Sequence, residues 1–148
     1  MRAAVESLGS IHFWRLAIKP GRPVALGQVA GSAFIGLPGN PVAVMVCFLR
    51  FGRPLLLRLA GGRGETPALV RVAAGFEHNK KPERREWLRA RLVRDADGRL
   101  TAEKFPRQGS GLITSLVQSD GLVEIPEDVT HVARGSMVDF LPFSEVMS

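Results

Sequence analysis

The stretch Gly36-Leu37-Pro38-Gly39-Asn40-Pro41-Val42-Ala43-Val44 constrains this chain more than any other. It reads as the end of a strand, a tight glycine–proline turn and the start of a buried helix. Asn40 is a favourable N-cap, and Pro41 falls at the first helical position, where its missing N–H costs nothing. Gly39 permits a sharp turn and leaves no side chain between the helix end and an approaching group. Free N–H groups at such a start, backed by the helix dipole, suit a phosphate or oxyanion. The same turn also serves as a plain connection, and alone it does not separate the two. Residues 42–49 are apolar on every side, which a helix tolerates only when covered all round. Pro54 breaks or restarts that helix, and Gly61-Gly62 ends it.

Three short strands precede the turn, at residues 11–18, 24–29 and 33–37, with Ala30-Gly31-Ser32 as a hairpin-length connection. Lys19-Pro20-Gly21-Arg22 carries proline second and glycine third, the type II signature, which would hold the two cations close together. They either point into water or share an anion. Three strands and one fully apolar helix within 62 residues cannot surround that helix unaided. The rest of this α/β unit is therefore expected on another chain or, the reading we favour, upstream in a longer polypeptide.

Gly61-Gly62-Arg63-Gly64-Glu65-Thr66-Pro67 is a linker by composition. Beyond it the pattern turns to short strands with turn signals, at residues 68–74, 86–93, 99–105, 122–125 and 136–141, with a short helix over 112–118. In the second of these strands Leu88, Ala90 and Leu92 share one face, and Trp87, Arg89, Arg91 and Val93 the other. Asp95-Ala96-Asp97-Gly98 closes a hairpin; the spaced acidic ligands of a calcium loop do not follow it. A small all-β barrel or sandwich fits.

The chemistry visible in spacing is cationic. His12, His78 and His131 lie far apart with no ligand-spaced partner, so no metal site is read. Gly109-Ser110-Gly111 lacks the flanks of a nucleophile elbow, and phosphate-loop and dinucleotide fingerprints are absent. Arg84, Arg85, Arg89 and Arg91 cluster around Trp87. Arg89 and Arg91 share a face, which presents two guanidinium forks to one anion or is simply solvated. A net charge of +6 over 148 residues favours anionic partners. With 7% aromatic residues and no tyrosine, a stacking platform for single-stranded nucleic acid is thin. The single cysteine, Cys47, excludes a disulfide within the chain and points to a cytoplasmic setting. The longest uncharged apolar run, residues 41–49, is far short of the roughly 18 residues of a membrane span.

Lys19-Pro20-Gly21-Arg22-Pro23 followed by Gly36-Leu37-Pro38-Gly39-Asn40-Pro41-Val42-Ala43 resembles the MoeA-type molybdopterin molybdenumtransferases, the family that includes the gephyrin E domain. Arg84-Arg85-Glu86-Trp87-Leu88-Arg89, the Asp97-Gly98 hairpin and Gln108-Gly109-Ser110-Gly111-Leu112 agree in order, so the resemblance covers residues 11–143. It implies insertion of molybdenum from molybdate into adenylyl-molybdopterin, release of AMP, a divalent metal such as magnesium, and an elongated homodimer of four-domain subunits. Residues 1–62 would end the third domain, a MogA-like three-layer nucleotide-type α/β domain, and residues 63–148 would form the fourth, β-barrel-like domain. Lys19 and Arg22 match the family's anion-contacting cations, beside the Pro38, Gly39, Asn40, Pro41 turn. Arg84, Arg89 and Ser110 match fourth-domain positions that reach towards the cleft.

Two departures matter. Arg22 stands where the family usually has lysine, which keeps the charge but turns a point donor into a planar fork. The first two domains and the start of the third are not in the sequence, and with them go the acidic residues expected to hold metal and molybdate. The chain alone is therefore expected not to catalyse the transfer. Two other readings are a free-standing anion or nucleic-acid binding module, and a scaffold piece acting through an apolar face.

Overall fold

A computed structural model describes residues 2–63, 66–109 and 111–147. The chain divides into two compact units, Met1–Gly64 and Glu65–Ser148.

Unit 1 runs α1 (Arg2–Glu6), β1 (Gly9–Phe13), β2 (Ile18–Lys19), β3 (Ala25–Val29), β4 (Ser32–Gly36), α2 (Pro41–Cys47), a π-helical turn (Phe48–Gly52) and α3 (Arg53–Leu59). Strands β1, β3 and β4 make an antiparallel sheet in that order. Ala30 and Gly31 both adopt positive φ, 46° and 79°, the backbone of a two-residue hairpin, and Val29 pairs with Ser32 across it. The single strand read over 11–18 is instead β1, starting earlier, then an irregular stretch and the two-residue β2. A register shift between Ile11 and Phe13 interrupts the ladder there.

Pro54 explains the π turn. It has no N–H to give the carbonyl four residues back, so the ladder widens just before it, and the Arg53 N–H reaches Phe48 O instead. The helix then ends as Gly61-Gly62 predicts. Gly61 takes φ +86°, and the Gly62 and Gly61 N–H groups donate to Leu57 O (2.8 Å) and Arg58 O (3.1 Å). The apolar run is only partly covered within this chain, as expected of a helix that these residues cannot surround unaided. Val42, Ala43, Val46, Cys47 and Leu49 are buried, but Phe48 is exposed, as are Leu56, Leu57 and Leu59 further along.

Unit 2 is a closed barrel. Its strands are β5 (Val70–Ala74), β7 (Arg85–Arg94), β8 (Leu100–Lys104), β9 (Gly121–Ile125) and β11 (Met137–Pro142), with a separate small ribbon of β6 (His78–Asn79) and β10 (His131–Val132). The order β7-β8-β5-β11-β9 closes because β9 also pairs with β7. All ladders are antiparallel except β5 with β8. Closure leaves no free strand edge in the barrel. The inward row of β7 joins Val72, Ala74, Phe76, Ala102, Val123, Ile125, Val138 and Phe140 in one core. The alternation seen in sequence is thus realised, with Leu88, Ala90 and Leu92 inside. The β7–β8 hairpin turns on Asp95, whose Oδ1 accepts the N–H groups of Asp97 (3.0 Å) and Arg99 (2.8 Å). The helix expected over 112–118 is a single turn, α4 (Thr114–Val117), and α5 (Ser144–Met147) follows the last strand.

Candidate functional site

In unit 1 the opening motif folds largely as its residues dictate. Asn40 has extended backbone (φ −90°, ψ 129°), Pro41 begins α2, and the Val44 N–H makes the first helical bond to Asn40 O at 2.8 Å. The side chain of Asn40 does not cap the helix. Its Oδ1 is buried and has no hydrogen-bond partner among the described residues. Pro38 is buried, whereas Gly39 is exposed. Among the described residues a Cβ added at Gly39 would meet nothing within 4 Å, so the turn presents an open face.

The Lys19–Arg22 loop differs from the expected type II turn. The Lys19–Pro20 peptide is cis, and the closing bond runs from the Val24 N–H to Gly21 O at 3.1 Å, so the turn is centred on Arg22-Pro23. Gly21 sets this register. It takes φ +107°, and a Cβ there would stand 2.1 Å from Cys47 Sγ and 3.8 Å from Ala43 O. Only glycine lets the loop lie flat on α2 at its first turns. The Cys47 thiol donates to Gly21 O at 3.8 Å, and burial pushes its pKa up to about 11. Pro20 and Gly21 are buried while Lys19 and Arg22 are exposed. The loop is thus anchored at its middle, with a cation on each side. The structure brings this cation loop and the helix that opens at Asn40 into contact.

The arginines of unit 2 lie in another kind of environment. Arg89 is 1% exposed on the outward row of β7. Its Nε donates to Ser115 Oγ (3.1 Å), and its Nη2 donates to Arg107 O (3.3 Å) and Gly109 O (2.9 Å). Burial lowers its pKa, but these acceptors solvate the charge. The face shared by Arg89 and Arg91 therefore does not offer two forks to one anion: Arg89 is covered and spent on Ser115, Arg107 and Gly109, and of the two only Arg91 is exposed. Arg84 is half-buried and paired with Glu86 through Nη2, and its Nε is buried without a partner among the described residues. Glu86, fully buried, also meets His78 Nε2 at 3.1 Å. Among the described residues Arg84 and Arg89 have no acceptor in common. Ser110 lies outside the described residues.

Sequence reasoning missed three residues here. Gln108 behaves as an added piece of strand: its Oε1 accepts the Arg89 N–H at 3.1 Å, and its Nε2 donates to Arg89 O (3.0 Å) and Phe105 O (2.7 Å). Glu124 accepts from the Trp87 indole N–H at 2.9 Å and pairs with Arg85, which also forks onto Glu127. Ser115, with its Oγ against Arg89, is fully buried. The one signal available was that charged residues on a strand flanked by Trp87 and Leu88 must find partners if buried.

A family model for the MoeA C-terminal region (domain IV) matches residues 71–143, and one for a probable molybdopterin binding domain matches residues 1–58. The chain belongs to the MoeA family. Its unit 2 contains the match to MoeA domain IV, and unit 1 the match to the molybdopterin-binding model. A molybdopterin molybdenumtransferase of Haemophilus influenzae is 30% identical over 147 residues, covering 99% of this chain and 36% of that protein. Molybdopterin molybdenumtransferase 2 of Mycobacterium tuberculosis is 35% identical over 129 residues, 86% of this chain and 31% of that protein. The crystal structure of a molybdopterin biosynthesis MoeA protein from Pyrococcus horikoshii superposes with a TM-score of 0.73 at 29% identity, covering 95% of this chain and 34% of that one. The chain thus spans about a third of the length of these relatives. Among the described residues no helix is long and apolar enough to cross a membrane.

Proposed function

We propose that this MoeA-family chain serves molybdenum cofactor biosynthesis by supplying one wall of the site where molybdenum from molybdate enters adenylyl-molybdopterin and AMP is released. The observation that carries the reading is the seating of Gly21 on α2, which sets the Lys19/Arg22 loop against the helix that begins at Asn40. Adenylyl-molybdopterin carries phosphate charge together with hydroxyl and amide donors. Lys19 and Arg22 offer the phosphates a point charge and a planar fork. The Val42 and Ala43 amides precede the first helical bond and point the same way as the helix dipole. Asn40 Oδ1 supplies a buried acceptor for an O–H or N–H of the ligand. Pro38, Gly39 and Pro41 shape the open turn.

Magnesium does not fit the described residues, among which no three His, Cys, Asp or Glu side chains are grouped to hold a metal. No step is derived through it. In this reading the ligands of magnesium, the seat of molybdate and the second half of a homodimer lie outside this chain, in the cytoplasm where the cofactor is made. The chain alone then binds molybdopterin without completing the transfer. Incubation with adenylyl-molybdopterin, molybdate and magnesium should release no AMP, while calorimetry with molybdopterin shows binding. Lys19→Ala with Arg22→Ala should weaken that binding by about 10- to 100-fold, the range expected for losing charge-assisted hydrogen bonds of roughly 1.5–3 kcal/mol. Unchanged affinity in a folded double variant would remove the anion clamp from the account.

A further inference from the structure

We infer that Arg89 is a positioning residue: its guanidinium holds the Arg107-Gln108-Gly109 segment in place, and it acts on a bound ligand only through that segment. This deepens the function proposed above and rests on it, because the segment leads into the Gln108-Gly109-Ser110-Gly111 motif.

The geometry is that of a strut. Three donor contacts of one planar fork go to Ser115 Oγ, Arg107 O and Gly109 O, at 3.1, 3.3 and 2.9 Å. These acceptors lie just before the motif, at its second residue and in α4 beyond it. Ser115 Oγ in turn donates to Leu112 O, closing the far side of the same loop. The backbone of residue 89 is tied to the segment as well, through both ends of the Gln108 amide. The Phe105 N–H adds a bond to Arg89 O at 2.9 Å. One residue of the ten-residue strand β7 therefore holds residues 107 and 109 and, through Ser115, α4.

A fork is needed here and a point charge does not suffice. Lysine has the charge but not the fixed spacing of donors that meets two carbonyls and a hydroxyl at once. A residue that bound the ligand directly by charge would respond differently, because lysine would largely replace it. A lone carbonyl-satisfied arginine at 1% exposure has little surface to offer any anion.

The test compares Arg89→Lys with Arg89→Gln and Ser115→Ala in the 148-residue chain, with circular dichroism as the check on folding. Two quantities are read: amide exchange at positions 89 and 105, and affinity for molybdopterin. The position-89 amide is a direct reporter, since its acceptor is the Gln108 side chain. Arg89→Lys and Arg89→Gln should both raise exchange at least tenfold and both weaken molybdopterin by about tenfold. Ser115→Ala, which keeps Arg89, should do the same in smaller measure and keeps the test decisive if the position-89 variants do not fold. Wild-type exchange in Arg89→Lys, or in Ser115→Ala where only that variant folds, would overturn the strut. Faster exchange with unchanged affinity would overturn the positioning role and leave Arg89 a fold residue. A lysine variant that binds as wild type while the glutamine variant does not would show a direct charge contact instead. Failure of the function proposal shows separately, as absence of molybdopterin binding by the unsubstituted chain, and takes the ligand half of the inference with it.

Discussion

The cations of the two units teach opposite lessons about what a basic residue does. In unit 1 Lys19 and Arg22 sit exposed on a loop whose middle, Pro20-Gly21, is buried. In unit 2 Arg89 is buried on the outer face of β7 and solvated by carbonyls, and Arg84 is drawn onto a fully buried Glu86. The first arrangement keeps both cations at the surface over a buried stretch of backbone. The second spends charge within the fold, on backbone carbonyls for Arg89 and on a carboxylate for Arg84. Burial, and not residue type, separates the two.

The same contrast runs through the apolar residues. The barrel closes on one core, while α3 leaves Leu56, Leu57 and Leu59 exposed. Phe140→Ala should therefore cost about 3–5 kcal/mol, as expected for truncating a fully buried aromatic side chain. Leu57→Ala should change stability by less than about 0.5 kcal/mol, as for surface substitutions generally. Denaturant unfolding of both variants breaks the contrast if the losses are similar.

Next in size is the buried network of unit 2. Glu124→Ala leaves the Trp87 indole N–H without its acceptor and Arg85 without one of its carboxylates. Removing one partner of such a buried pair should cost about 3 kcal/mol. A loss below about 1 kcal/mol in urea unfolding would mean that the network is ornamental.

Gly21→Ala sharpens the comparison from the side of unit 1. The added methyl meets Cys47 Sγ and suits neither the space nor the +107° φ. The expected loss is about 1–3 kcal/mol, with faster alkylation of Cys47 as the loop lifts away. In the unsubstituted chain the raised thiol pKa, about 11, keeps Cys47 slow to alkylate at pH 8. Equal thiol reactivity in both would contradict the close seating.

The smallest effect is electrostatic. The fork from Arg85 holds the Glu127 carboxyl below its ordinary value of 4.5. A depressed carboxylate contributes stability above that value and loses it as pH falls through the lowered one. The pair is half-exposed and worth no more than about 1 kcal/mol. Glu127→Gln should lower the melting temperature slightly at pH 7, and the difference should vanish as pH drops below 4.5.

Legibility in the sequence followed the range over which each feature is decided. The turn into α2, the hairpin at Asp95 and the inward row of β7 rest on neighbouring residues, so local patterns predicted them. The division of β1 from β2 and the shift of the turn to Arg22-Pro23 depend on contacts such as Gly21 with Cys47, 26 residues apart. The fate of Arg89 depends on a loop 18 to 26 residues further on, which no spacing rule reaches. Motif resemblance found the arginine but not its direction.

The most direct test of the distinction between the two sets of cations is the salt dependence of molybdopterin binding. Exposed cations that contact ligand phosphates are screened, since the Debye length is about 10 Å at 0.1 M salt, and buried ones much less so. Affinity of the unsubstituted chain should fall steadily from 50 to roughly 500 mM salt. In Lys19→Ala/Arg22→Ala the affinity should be low and nearly flat across that range, whereas Arg89→Lys should be weaker throughout with the original slope. The account is contradicted if the double variant keeps the original slope, or if Arg89→Lys alone abolishes it.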